Sequence, residues 1–410
     1  MNENMKEILE LKNFGGIKNV TVEFNKINIF IGEQATGKSL IAKVLFFCKN
    51  FFNYYKEAIL QHKSIEDFEV LLIERFKSFF DVNSLEQNFS IQYKSSSLKT
   101  IKIYIEHNEV KIIYDQFWKN KFDTYKSELN IGFNKLNTNC DYILKDIPIK
   151  KQIFIPAARA VIAMFQNQMW KIIRYGLTLD PFLIDWGNFY EEEIKNKIVF
   201  AGNNLFSKSI DKNKNEIMTE IIKGEHKRTG GVEYLKQNNR NTPLAYLSSG
   251  QQEAISLVEL SLLSHSDTAN DTVYIEEPEA HLYPKTQKII TEMIARVFNE
   301  FGGNMQIVIT THSPYILTSL NNLMYAGTVE EKILNSIKKK KELYEIVDKK
   351  SIIKPEYVNA YFMQEGKNGN TIKSIIDEET KLINAEEIDD VSFDLADKFD
   401  KLSELEFDRS

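Results

Sequence analysis

One stretch constrains the fold of this chain more than any other: NIFIGEQATGKSLIAKVLFF, Asn28 to Phe47. The run Ile27 to Ile31 is apolar on both faces, which predicts a strand buried on both sides. It enters a turn bracketed by Gly32 and Gly37, and a helix follows from Lys38 to about His62 with no glycine or proline to break it. Gly32, Gly37, Lys38 and Ser39 meet the spacing G-x-x-x-x-G-K-[ST]. Glycines let consecutive backbone N–H groups converge on one concavity, and the helix start adds its positive pole. Lys38 then supplies a point charge for the outer phosphates, and the Ser39 hydroxyl a coordination position for Mg²⁺. The whole turn, Gly32, Glu33, Gln34, Ala35, Thr36 and Gly37 with Lys38, Ser39 and Leu40, is expected to hold a triphosphate such as ATP.

A phosphate cradle of this kind needs a carboxylate at a neighbouring strand end. TVYIEEPEAHLYP supplies it, with strand Thr272 to Ile275 ending at Glu276 and Glu277. Two adjacent acids where a buried strand emerges repel one another unless a cation or proton intervenes. Glu276 is expected to hold the shell of Mg²⁺, and Glu277 to orient or deprotonate the attacking water. QIVITTHSPYIL repeats the layout: a strand, then Thr310, Thr311 and His312, then a helix opened by Ser313 and Pro314 as N-cap and first residue. His312 therefore falls at the carboxyl end of a strand, where open parallel sheets bind ligands.

Strands alternating with helices over the last third imply a parallel sheet with crossovers. Short strands at Lys6 to Lys12 and Val20 to Phe24, a pair at Phe89 to Tyr93 and Thr100 to Glu106, and another at Val232 to Leu235 and Leu244 to Leu247 add an antiparallel component. Gln116 to about Asn130 reads as a helix, as does most of 159 to 224. The expected organisation is an α/β head begun by 1–63, a mixed insertion at 64–147, the rest of the head at 148–327 with a helical insertion at 160–225, and an α/β tail at 328–410. A net charge of −6 argues against a chain that coats nucleic acid over its whole surface, while allowing a local basic groove. Cys48 and Cys140 show no metal-ligand spacing, and Cys48 in its apolar helix reads as a buried thiol. No stretch reaches the ~18 uninterrupted apolar residues that span a bilayer. The expectation is a soluble, cytoplasmic protein without a membrane partner.

LSSGQQE, Leu247 to Glu253, stands ahead of YIEEPEAHLYP and ITTHSP, and together they resemble the ABC-type ATPase heads of the RecF, SMC and OLD group, its OLD-like branch above all. The resemblance covers 1–50 and 150–325. It implies a mixed core sheet with an antiparallel β-subdomain and helical insertions. It also implies that Ser248, Ser249 and Gly250 of one subunit, with Gln251 starting the helix, close over the triphosphate held by another. The segment FIPAARA makes Arg159 a candidate nucleotide-site residue, and LKNFGGIK places Phe14 beside the adenine. Glu276 stands where such heads usually have Asp, which implies slow turnover.

OLD proteins follow the head with a nuclease domain; about 85 residues remain after the His312 helix here, short for one, and no D-x-D strand appears in them. The leading expectation is the ATPase of a two-protein anti-phage system, resembling the PARIS and Septu ATPases. Such a protein forms a homodimer or larger homo-oligomer that holds a separately encoded toxin or nuclease until a phage-encoded trigger releases it. The alternatives are a RecF- or SMC-like DNA-repair clamp, in which Arg159, Lys171, Arg174 and Lys338 to Lys341 face DNA, and a nucleotide-sensing scaffold with almost no turnover.

Overall fold

The computed structural model describes residues 6–81, 88–134, 143–161, 179–194, 216, 219–229, 232–258, 271–367, 369–384, 397–398 and 401. Most of the expected helical insertion, with Lys171 and Arg174, lies outside these residues, as does Cys140. Three sheets organise the rest. The central one has six strands: β3 (Ile27–Gly32), β7 (Gln152–Ile155), β11 (Thr272–Glu276), β12 (Gln306–Thr311), β13 (Val358–Gln364) and β14 (Thr371–Ser374), in the spatial order β14-β13-β3-β12-β11-β7. All neighbours are parallel except the β13–β14 edge pair.

Alternation along these strands sorts the side chains onto two cores. Ile27, Ile29, Ile31, Ile153, Ile155, Val273, Ile275, Ile307 and Ile309 share one face with helices α7 (Pro284–Glu300) and α8 (Pro314–Lys332). Phe30, Phe154, Tyr274, Val308 and Tyr361 point the other way, under α1 (Lys38–Lys49) and a five-stranded antiparallel sheet. That second sheet joins β1 (Glu7–Phe14) and β2 (Ile17–Phe24) to β4 (Ser90–Ser95), β5 (Lys99–Glu106) and β6 (Glu109–Tyr114), in the order β2-β1-β4-β5-β6. The one polar residue of β3, Asn28, is fully buried and satisfied. Its amide donates to Asn25 O at 2.8 Å and its carbonyl accepts from Asn25 N at 2.8 Å.

Several elements depart from the sequence expectation. The helix after the glycine turn is two: α1 and α2 (Phe51–Leu60), separated by Asn50, whose side chain bonds back to Phe46 O at 3.2 Å. A third helix, α3 (Ile65–Phe79), is begun by a capping box between Ser64 and Asp67 and buries Phe68, Leu72 and Phe76 at four-residue spacing. The expected strand Leu244 to Leu247 is a 3₁₀ turn over Leu244–Tyr246; its place is taken by β10 (Arg240–Pro243), which pairs with β9 (Val232–Gln237), itself paired with β8 (Glu225–Thr229). The helix opened by Ser313 and Pro314, expected to end at Leu320, runs to Lys332 as α8, and α9 (Ile337–Ile346) carries Lys338 to Lys341. Residues beyond 327 are no appendage. Strand β13 lies directly beside β3, with Met363 opposite Gly32, so the C-terminal part of the chain completes the sheet that carries the glycine turn. Cys48 is fully buried, and burial pushes its thiol far up.

Among the described residues no helix is long and apolar enough to cross a membrane.

Candidate functional site

The carboxyl ends of β3, β12 and β11 meet at one edge of the central sheet, and the three motifs arrive there together. Gly32 leaves β3 at φ +148°, and a β-carbon on it would stand 1.9 Å from the Met363 carbonyl oxygen. Only glycine lets β13 approach the turn this closely. Helix α1 opens at Lys38 with Gly37 as its N-cap. Thr36 is buried and closes the turn by donating to Glu33 O at 2.8 Å, and Asn370 in the β13–β14 connection donates to Ala35 O at 3.1 Å. Glu33, Gln34 and Ala35 face solvent, Ser39 is half-buried in the first turn of α1, and the half-buried Leu40 packs beneath Gly15.

Lys38 is only 5% exposed and reaches into the turn, donating to the carbonyls of Gly32 (2.8 Å) and Glu33. Burial pulls its ammonium down to about 8, against the opposing pull of Glu277, Glu279 and Glu33. Its Nζ lies 3.4 Å from His312 Nδ1, and His312 Nε2 lies 3.1 Å from Glu277 Oε1. The ring thus faces a donor at Nδ1 and an acceptor at Nε2, an order that puts the proton of a neutral imidazole on Nε2. Lysine, histidine and glutamate form one chain across three strand ends.

The two acids of β11 part company sharply. Glu276 ends the strand, 5% exposed; Ala157 N donates to its Oε2 at 3.2 Å, while Oε1 is buried without a protein partner. Glu277 turns off the strand at φ +42°, held by its N–H to Thr310 O at 2.8 Å, and this kink aims its carboxylate at His312. Such a φ is uncommon for a non-glycine residue and marks a constrained position. Among the described residues no group of three or more His, Cys, Asp or Glu could hold a metal alone. The residues do fit Mg²⁺ brought with a triphosphate. Ser39 supplies a hydroxyl in the first turn of α1, and the orphaned Glu276 oxygen suits a hydrogen bond from a metal-bound water. Bound there, the ion would neutralise phosphate charge.

Glu279, which the sequence reading passed over, fixes the β12 end. Its Oε1 accepts from His312 N at 2.6 Å and from Thr311 Oγ1 at 2.8 Å. The signal was the third acid of EEPEAH. Ser313 caps α8 as expected, accepting from Tyr315 N at 3.1 Å, and donates to Gln287 at 2.6 Å.

The Ser248–Gly250 corner stands apart from this cluster. Ser248 and Ser249 are exposed at the start of α6 (Ser249–Val258). Gln251 folds back to accept from Ser248 N and Oγ at 3.3 and 3.0 Å, half of a capping box, and donates to Ile222 O at 3.0 Å. A β-carbon on Gly250 would meet His281 O at 2.7 Å, so α6 starts hard against the turn that follows Glu276 and Glu277. Tyr246, two residues before the corner, and Tyr283, two residues after His281, are 81% and 77% exposed.

Two expectations are corrected. Phe14 is fully enclosed, packed on Phe76, Phe80 and Phe89 with ring centroids 5.0–6.2 Å away, and offers no face to an adenine. Arg159 is also fully enclosed and faces main-chain oxygens: Glu276 O at 2.7 Å, Glu277 O at 3.0 Å, Pro156 O at 3.2 Å and Glu253 O at 3.3 Å. Its side chain organises the site from behind. Glu253, its ion-pair partner at 3.0 Å, has its carboxyl pushed up by burial, with Arg159 pulling the other way.

A family described as an AAA ATPase domain matches residues 185–317, a span that includes the Ser248–Gly250 corner, Glu276, Glu277 and His312 but not the glycine turn. No curated protein matches the chain. Many solved structures are similar to it, three SMC heads among them. An Smc head bound to the C-terminal winged-helix domain of ScpA shares 13% identity at a TM-score of 0.46, covering 90% of this chain and 97% of that one. The SMC head domain from Thermotoga maritima shares 10% at 0.39, covering 90% and 98%. An Smc head with an extended coiled coil from Pyrococcus furiosus, bound to the C-terminal domain of ScpA, shares 12% at 0.41, covering 91% and 96%.

Proposed function

We propose that this protein binds ATP with Mg²⁺ at the Gly32–Ser39 turn and hydrolyses it slowly, and that two copies close over the nucleotide. The observation that carries the reading is the Lys38–His312–Glu277 chain at adjoining strand ends beside an orphaned Glu276 oxygen. Lys38 swings from the loop carbonyls to the outer phosphates. Glu277 takes up the proton of the attacking water or orients it, and His312 holds that carboxylate in place. The family match over the two strand ends supports the same chemistry.

The second copy enters through the Ser248–Gly250 corner. In its own chain this helix start is exposed and held against the His281 turn, so a phosphate on another molecule can reach the Ser249 hydroxyl and the first N–H groups of α6 directly, and Ser248 by displacing Gln251. Mass measurement of the complex with and without ATP tests this. The Glu277→Gln protein is expected to accumulate as an ATP-dependent pair, and Lys38→Ala to remain single and bind no ATP. Nucleotide-independent self-association of both would refute the reading.

The finer role, a defence ATPase that holds a separate toxin or nuclease until a phage trigger, draws its support from the sequence resemblance. Co-purification with the product of the neighbouring gene tests it, and protection of cells by this chain alone would refute it. A clamp on DNA draws on the exposed lysines of α9 and would show itself as a steep salt dependence of DNA binding.

A further inference from the structure

We propose that Arg159 couples the two nucleotide sites of the pair, by tying each protomer's Ser248–Gly250 corner to its own Glu276–Glu277 strand end. The inference rests on the composite site proposed above and goes beyond it, because Arg159 touches neither nucleotide. A guanidinium has five N–H donors in one rigid plane. Here Nε faces Glu253 O at 3.3 Å and its carboxylate at 3.0 Å, Nη1 faces Pro156 O and Glu276 O, and Nη2 faces Glu277 O. One planar fork therefore joins the end of β7, the end of β11 and the second turn of α6.

The linkage is tight at both ends. Glu253 follows Gly250 by three residues and so lies on the next turn of the helix, on the same side. Gly250 itself has no room for a β-carbon against His281 O. Any tilt of α6 as it grips a partner's triphosphate is thus passed through Arg159 to the main chain of Glu276 and Glu277. Glu277 stands at φ +42°, and a small rotation there moves its carboxylate relative to His312 Nε2, now 3.1 Å away. Enclosing a full positive charge with only one paired carboxylate is an expensive way to pack a core, and an apolar side chain would fill the space more cheaply. The fork supplies fixed relative geometry, which a lysine in its place would not.

The arrangement predicts action in trans: Arg159 of one protomer, through α6, governs turnover at the site whose carboxylate belongs to the other. Mixed pairs isolate this. One protomer carries Glu277→Gln, so its own site is silent, and the other is wild type; all hydrolysis then occurs at the wild-type carboxylate, with the silent protomer contributing only its α6 corner. Adding Arg159→Lys to the silent protomer is expected to lower turnover at saturating ATP at least tenfold, with half-saturation changed less than twofold and the pair still formed by mass. Glu253→Gln in the silent protomer, a milder change that keeps the main-chain acceptor, is expected to act in the same direction and decides the matter where Arg159→Lys fails to fold. Unchanged turnover in the mixed pair overturns the coupling while leaving the composite site standing. A wild-type protein that never pairs on ATP overturns both, and the mass measurement tells the two failures apart.

Discussion

If Lys38 holds the nucleotide as proposed, it does so with a proton attached, and above neutral pH it must collect that proton first. Its ammonium, lowered to about 8 by burial, is about nine-tenths protonated at pH 7, half at pH 8 and one-tenth at pH 9. A bound triphosphate brings several negative charges against it and restores its ordinary affinity for a proton. With Mg²⁺ present the triphosphate is already fully ionised at these pH values, so the uptake belongs to the protein. Binding is expected to take up about 0.1 proton at pH 7, about 0.5 at pH 8 and about 0.9 at pH 9, and to weaken about tenfold between pH 7 and 9. Calorimetry in two buffers of different ionisation enthalpy reads the uptake directly. The nucleotide-free protein shows the opposite face of the same linkage. Between pH 8 and 10.5 the unfolded chain holds more protons at this lysine than the fold does, so stability rises with pH across that window. Lys38→Met removes the buried ammonium and is expected to stabilise the nucleotide-free fold at pH 7 by up to about 3 kcal/mol, while abolishing ATP binding. Calorimetric heats at pH 8.5 that do not depend on the buffer, or a Lys38→Met protein less stable than wild type at pH 7, would refute the reasoning.

Phe14→Ala is expected to cost about 3–5 kcal/mol of stability, as a large aromatic lost from a close-packed core, with ATP affinity per folded molecule unchanged. Denaturant unfolding and nucleotide titration together check it, and a selective loss of affinity would restore Phe14 to the base site. Gly250→Ala should leave nucleotide binding by the single protomer intact but prevent ATP-dependent pairing, because the added carbon meets His281 O and displaces α6; light scattering with and without ATP reads this. A chain truncated after Tyr357 loses β13 and is expected to be insoluble or unfolded, by circular dichroism, since the apolar edge of β3 is then bare.

What could be read ahead of the structure was what is written contiguously. The glycine turn, the acids after β11 and the histidine after β12 are each a strand, a turn and a helix start within some twelve residues, and their physics is local. Even their meeting follows, because parallel strands joined by crossovers deliver every carboxyl end to one edge of the sheet. What stayed hidden depends on partners far along the chain. That β13 lies beside β3 rests on a pairing of Met363 with Gly32, and nothing in VNAYFMQ announces that neighbour. Phe14 looked available because its motif does not reveal which face of β1 the helix α3 will cover, and α3 itself was overlooked although Ser64 and Asp67 mark its start. The strand β6 was likewise signalled by its two-residue turn, His107 and Asn108, both at positive φ. Arg159 shows the limit most clearly. A motif can place an arginine near a strand end, but whether its fork faces a phosphate or the carbonyls of two strand ends and a helix depends on which carbonyls reach it first. Here they leave no donor plane for the nucleotide. If the mixed-pair experiment shows action in trans, the residue that looked like a ligand contact is instead what makes two distant contacts behave as one.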